Sequence, residues 1–152
     1  MTSHQQPNLP DILSDLIQRV RRLEQQIGDP AVVAAPQRKF VWTAFGDLRT
    51  GTGDQPFYND TGMDLRIVGV RMAVMPGSSS NMPTGSPLVA NVNLDGVAMF
   101  SDGLRMLAGT DTAYGVPDTG DMWLQGAYLT VDIIAVGSDH PGKNMTLTVI
   151  AV

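Results

Sequence analysis

The chain has 152 residues, 10 lysines and arginines against 15 aspartates and glutamates, a formal net charge of −5, and no cysteine. That balance leaves no basic patch to neutralise phosphates, which argues against nucleic-acid binding, and it rules out disulfides and thiolate metal sites. Charged residues make up only 16% of the chain while Gly (16) and Pro (10) are plentiful, a composition that favours short strands joined by turns.

Residues 1–8 are polar and read as an arm. Residues 9–27 carry a heptad pattern. Leu13, Val20 and Ile27 fall at position a and Leu9, Leu16 and Leu23 at position d, the seam of a coiled coil. In this register Arg19 lies at g and Glu24 at the following e, placed to pair between neighbouring chains. Arg, apolar, two of any kind, apolar, Glu resembles the trimerisation motif of short parallel coiled coils. Ile12 and Ile17, at g and e, widen the apolar stripe as a third helix requires. The expectation is a homotrimer; the alternative is a single amphipathic helix packed on its own domain. Asp11 and Asp15 in the first turns and Arg19, Arg21 and Arg22 in the last ones match the helix dipole, and Gly28 and Pro30 end the segment. A lone helix of about 19 residues is marginal in water, so association is what should order it.

Residues 28–39, with Pro30 and Pro36, form a linker, and a mainly β domain is expected over 40–152. A first strand runs from Phe40 to Phe45, followed by turn-rich sequence from Gly46 to Gly62. Leu65 to Val74 is a second strand, with Val68, Val70, Met72 and Val74 on one face. Leu88, Ala90, Val92 and Leu94 alternate with Val89, Asn91 and Asn93. Asp95-Gly96 then turns the chain into Val97 to Phe100, a strong hairpin signal. Arg105 to Leu107 is a short strand and Ala108 to Asp121 a polar loop. Tyr128 to Val136 and Met145 to Val152 alternate cleanly and close the domain. Strands and turns without a second helical pattern indicate an antiparallel β-sandwich of the jelly-roll type. No basic stretch followed by an apolar run opens the chain and no segment approaches about 18 apolar residues, so neither a standard signal nor a membrane span is expected.

Catalytic signatures dissolve on inspection. Asp-Thr-Gly occurs at Asp60-Thr61-Gly62 and Asp118-Thr119-Gly120, but neither copy follows the apolar strand that an aspartic-protease site needs, and both read as turns. Ser138-Asp139-His140 are too close in sequence to converge as a triad. His4 and His140 are the chain's histidines, too few for a histidine metal site within one subunit. Asp111, Asp118 and Asp121 match no calcium-loop spacing, and Gly51-Thr52-Gly53 lacks the rest of a dinucleotide fingerprint and reads as a turn. No enzyme, cofactor or metal is therefore expected. The long polar loops carry Tyr58, Tyr114 and Trp123, candidate surface-binding aromatics for a sugar or a protein; the alternative places them in the core or at trimer contacts.

Pro83 to Gly96, Gly126 to Ile133, and Val136 through Pro141-Gly142 to Val149 together resemble a β-domain of small bacteriophage virion proteins, notably in phages of actinobacteria. These are minor tail proteins, tail or head fibres and head-decoration proteins, often with a short heptad helix ahead of the domain. The resemblance covers about residues 65–152 and carries no catalytic residue. It implies a non-enzymatic virion component, a homotrimeric minor tail or tail-fibre protein contacting other virion proteins and the host surface. A capsid decoration or head-fibre role is the alternative, and a carbohydrate-binding module that recognises host-wall glycans a further one.

Overall fold

The computed structural model describes residues 17–19, 36–53, 55–75 and 79–152. Of the heptad segment, Ile17, Gln18 and Arg19 are helical and exposed. The arm and the seam residues Leu9, Leu13, Leu16, Val20, Leu23, Glu24 and Ile27 lie outside the described residues. The chain divides at Pro36, and the unit that follows is a mainly β fold.

Its strands, in chain order, are β1 (Arg38–Asp47), β2 (Phe57–Tyr58), β3 (Leu65–Ala73), β4 (Leu88–Leu94), β5 (Val97–Ala98), β6 (Leu104–Met106), β7 (Thr112–Gly115), β8 (Met122–Trp123), β9 (Tyr128–Ala135) and β10 (Lys143–Ala151). One five-stranded sheet runs β1-β10-β3-β7 with β8 also on β3; the other runs β2-β9-β4-β5 with β6 also on β4. Every pairing is antiparallel. The two sheets share one apolar core, the arrangement of a β-sandwich.

Period-two alternation builds most of it. Leu129, Val131 and Ile133 of β9 and Met145, Leu147, Val149 and Ala151 of β10 are buried, while their alternates are less so. Asp95 and Gly96 take φ of 48° and 83°, the two positive values of a type I′ turn, which aligns Leu94 with Val97.

Three bulges break the pattern. In β3, Ala151 faces Ile67 but Ile150 faces Gly69, leaving Val68 as the extra residue. The facing of the strand inverts there, so Leu65 and Ile67 enter the core alongside Val70, Met72 and Val74. The expectation that Val68 shares the face of Val70 and Met72 is corrected by this one inserted residue. In β9, Ile134 is extra between the partners of Val89 and Ala90, and it is exposed for that reason. In β1 the shift falls between Ala44 and Asp47, where Gly46 has φ of 78° and its N–H donates to Asn144 Oδ1 at 2.9 Å.

The stretch from Ala108 to Asp121 is not the continuous loop that its polarity suggested. Thr112–Gly115 forms β7, paired with Val70–Ala73. The first strand also starts earlier than expected, at Arg38.

Trp123 sits at the centre of the core with 0% exposure. Phe40 meets it edge-on at 4.7 Å and 73°, and Phe57 at 6.2 Å and 74°. Its indole N–H donates to the Ala127 carbonyl at 2.9 Å, so the one polar atom of the ring is satisfied. Trp123→Ala is expected to destabilise the domain by about 3–5 kcal/mol, read as a lowered denaturant midpoint. Tyr114→Ala should lower it far less, because that ring is mostly exposed.

Candidate functional site

The three expected surface aromatics fall in different environments. Tyr58 is 51% exposed and Tyr114 is 60% exposed, but Trp123 is wholly buried and offers no surface. The placement of Trp123 among surface-binding residues is thus corrected: β8 pairs with Leu65 and Arg66 and turns the indole inward between the sheets. Tyr58 lies opposite Tyr128, with ring centroids 5.9 Å apart. Tyr114 lies over Gly69, where any side chain would collide with its ring, and its hydroxyl is 3.4 Å from the Val68 carbonyl. Tyr58 sits on an edge strand of one sheet and Tyr114 on an edge strand of the other. β2 contributes Phe57 to the Trp123 cluster with Phe40 of β1, whereas β7 packs on Phe100 and Leu104. The two tyrosines therefore occupy opposite flanks of the sandwich and do not make one patch.

On the β1 flank a cleft of about 260 Å³ opens between the sheets. Trp42 and Thr43 of β1 form one wall, Arg49 and Gln55 the other, and Val131 and Ile133 lie at its base. The wall carrying Arg49 is held by backbone. Gly51 N–H donates to Ile133 O at 3.0 Å and Ile133 N–H to Gly51 O at 2.9 Å, and Gly53 N–H donates to Asp132 Oδ1 at 2.8 Å. The other oxygen of Asp132 accepts from Asn93 Nδ2 at 2.7 Å. Gly53 crosses so close to the Val131 backbone that a Cβ would overlap it. Gly51-Thr52-Gly53 is thus an extended stretch laid along β9, correcting its reading as a turn. Two glycines bracketing one residue beside an alternating strand were the signal for this close approach. Arg49 makes no ion pair among the described residues.

The acidic motifs are committed to local structure. Asn59, 0% exposed, accepts from the Thr61 hydroxyl at 2.6 Å and donates to the Met63 and Trp123 carbonyls, organising the first Asp-Thr-Gly turn. In the second, Asp118 accepts from the Ser101 hydroxyl at 2.7 Å and the Ser101 N–H at 3.0 Å, and Thr119 donates to the Ala98 carbonyl at 2.8 Å. Asp121 pairs with Arg66 at 2.6 Å. The Ser138 hydroxyl lies 3.3 Å from Asp139, while His140 Nδ1 lies 3.0 Å from the Met82 carbonyl and 3.1 Å from the Gly142 nitrogen. Among the described residues no three His, Asp or Glu side chains gather where they would hold a metal ion, and no helix is long and apolar enough to cross a membrane. No family model matches the chain, and no curated protein is significantly similar to it.

The Ser101 hydroxyl, and after it the Ser101 N–H, holds the Asp118 carboxyl below its ordinary value of 3.8. A depressed folded-state value means the tie is present above the unfolded value and is lost as pH falls through the folded one. Hydrogen exchange should show the Ser101 amide protected down to about pH 3.8 and losing protection below it. In Asp118→Ala that protection should be absent at every pH.

Proposed function

We propose that the protein is a non-enzymatic structural component of a bacteriophage particle. It works as a homotrimer whose residues 9–27 make a parallel three-helix stalk and whose β-domain projects as a knob. The observation that carries this reading is where the resembling segments lie in the fold. Residues 83–96 form β4 and its turn, 126–133 form most of β9, and 136–149 lead into β10. β4, β9 and β10 are inner strands of the two sheets, so the likeness takes in framework strands together with the turns beside them.

The heptad supports the trimer, and trimerisation would multiply weak contacts to a repetitive surface. Of the placements in a particle, we favour a minor tail or tail-fibre component that touches the host surface, with capsid decoration or a head fibre as the competing placement. The exposed Tyr58, lying beside the half-buried Tyr128, favours a secondary role in glycan contact, since such rings stack on sugar faces.

Light scattering should give the full-length chain three times the monomer mass, and Leu16→Asp with Leu23→Asp should reduce it to the monomer while leaving the β-sheet circular dichroism intact. Removing residues 1–36 should likewise abolish incorporation into particles. A monomeric full-length chain, or normal incorporation of the truncated one, would count against the proposal.

A further inference from the structure

The longest strand of the domain is also an edge. β1 has 10 residues and pairs with β10 on one side. No strand pairs with its other side among the described residues. In an antiparallel pair every second residue points both its N–H and its C=O away from the partner, so β1 presents an open ladder over most of its length. Natural edges are usually short, bulged or heavily charged. From Phe40 to Ala44 this one is regular and free of charge, and its bulge comes only after Ala44.

The surroundings of that edge are specific. The cleft between Trp42 and Arg49 lies alongside it. A strand added to β1 would run about 4.8 Å away, and its residue opposite Trp42 would point to the same side as Trp42, into the gap between the sheets. The cleft has room for one such side chain. What that side chain should be follows from the charges beside it. Arg49 at the mouth, and Arg38 and Lys39 at the start of β1, make no ion pair among the described residues. Asp47, at the far end of β1, is already paired with Lys143 at 3.2 Å. Asp132 behind the wall is occupied by Gly53 and Asn93. Asp54 lies outside the described residues.

We infer that β1 is a docking edge that takes up an extended acidic peptide strand of another protein, with a carboxylate side chain seated in the cleft against Arg49. The ladder supplies affinity and the cleft supplies selectivity, the division of labour seen whenever a peptide extends a sheet. The inference does not depend on the protein being part of a particle, since it rests only on the edge and the cleft.

The test uses the full-length chain and three synthetic probes. The first is a capped peptide of alternating threonine and valine with one central glutamate. The second carries lysine in place of the glutamate, and the third is the first N-methylated at alternate amides so that it cannot form a ladder. Tryptophan fluorescence should report saturable binding of the glutamate peptide about tenfold tighter than the lysine peptide, with no binding of the methylated one. Arg49→Glu should invert the preference, and bound peptide should protect β1 amides from hydrogen exchange. Equal affinity for the glutamate and lysine peptides, undiminished binding of the methylated peptide, or no saturable binding at all would overturn the inference. So would protection of β1 in the free chain that rises with protein concentration, because a second copy would then be the occupant.

Discussion

The apolar slab between the two sheets carries the fold, because nothing covalent shares the task. The chain has no cysteine, and the ion pairs Arg66–Asp121 and Lys143–Asp47 involve half-exposed or exposed side chains, where such pairs contribute little. Stability therefore rests on burial of side chains such as Trp123, Leu65, Met72, Met99, Met106 and Met145, all at 1% exposure or less. Methionine is prominent in that set for a physical reason. Unbranched and flexible, it fills the irregular spaces left where bulged strands of one sheet cross the other.

A slab this apolar tolerates polar atoms only when they are bonded, and the buried asparagines show how. Asn91 donates to the Phe100 carbonyl at 2.7 Å and accepts from the Phe100 N–H at 3.2 Å. Its amide thus does for the chain after β5 what a neighbouring strand would do. Asn59 plays the same part for the turn before β3, and Asn93 orients Asp132 beneath Gly53. No buried side-chain nitrogen or oxygen lacks a partner among the described residues. Each asparagine converts an irregular stretch of backbone into a satisfied one, which is how a domain with so many short strands keeps its loops closed.

This also explains which features the amino-acid order revealed. Alternation exposed β4, β9 and β10, and Asp95-Gly96 exposed the hairpin, because those signals are local. The inversion in β3 was hidden, since a bulge is set by the partner strand: only the offset of Ile150 and Ala151 against Gly69 and Ile67 makes Val68 the odd residue. β7 was hidden because Thr112, Ala113, Tyr114 and Gly115 carry little apolar character and owe their strand to the edge of β3. Trp123 was ambiguous for a similar reason. A tryptophan among Met122, Leu124 and Gln125 reads equally well as loop or core, and the decision lies with Phe40 and Phe57, far away in sequence. The cleft beside Trp42 required knowing that residues 51–53 lie along β9, a contact with no local signature beyond its two glycines.

The flanks of the sandwich are treated unequally, and the inequality has a physical meaning. On the β7 flank, the edge is four residues long and the sheets are bridged by Phe100 and Leu104 packed against Gly115. That side is closed by side chains. On the β1 flank the strand is long and the opposite wall is held off by Gly51 and Gly53, residues that bring backbone close but fill no space. At Gly53 no larger side chain fits, because a Cβ there would overlap the Val131 backbone. Among the described residues this flank keeps a guanidinium without an ion pair and a ladder with no strand on its outer side, so its open backbone faces water. Water satisfies that backbone as well as a partner does, and Val131 and Ile133 beneath the cleft are already buried, at 1% and 9% exposure. A strand laid on β1 would extend the sheet without breaking any bond now made among the described residues, so occupation of this flank needs no rearrangement of the core.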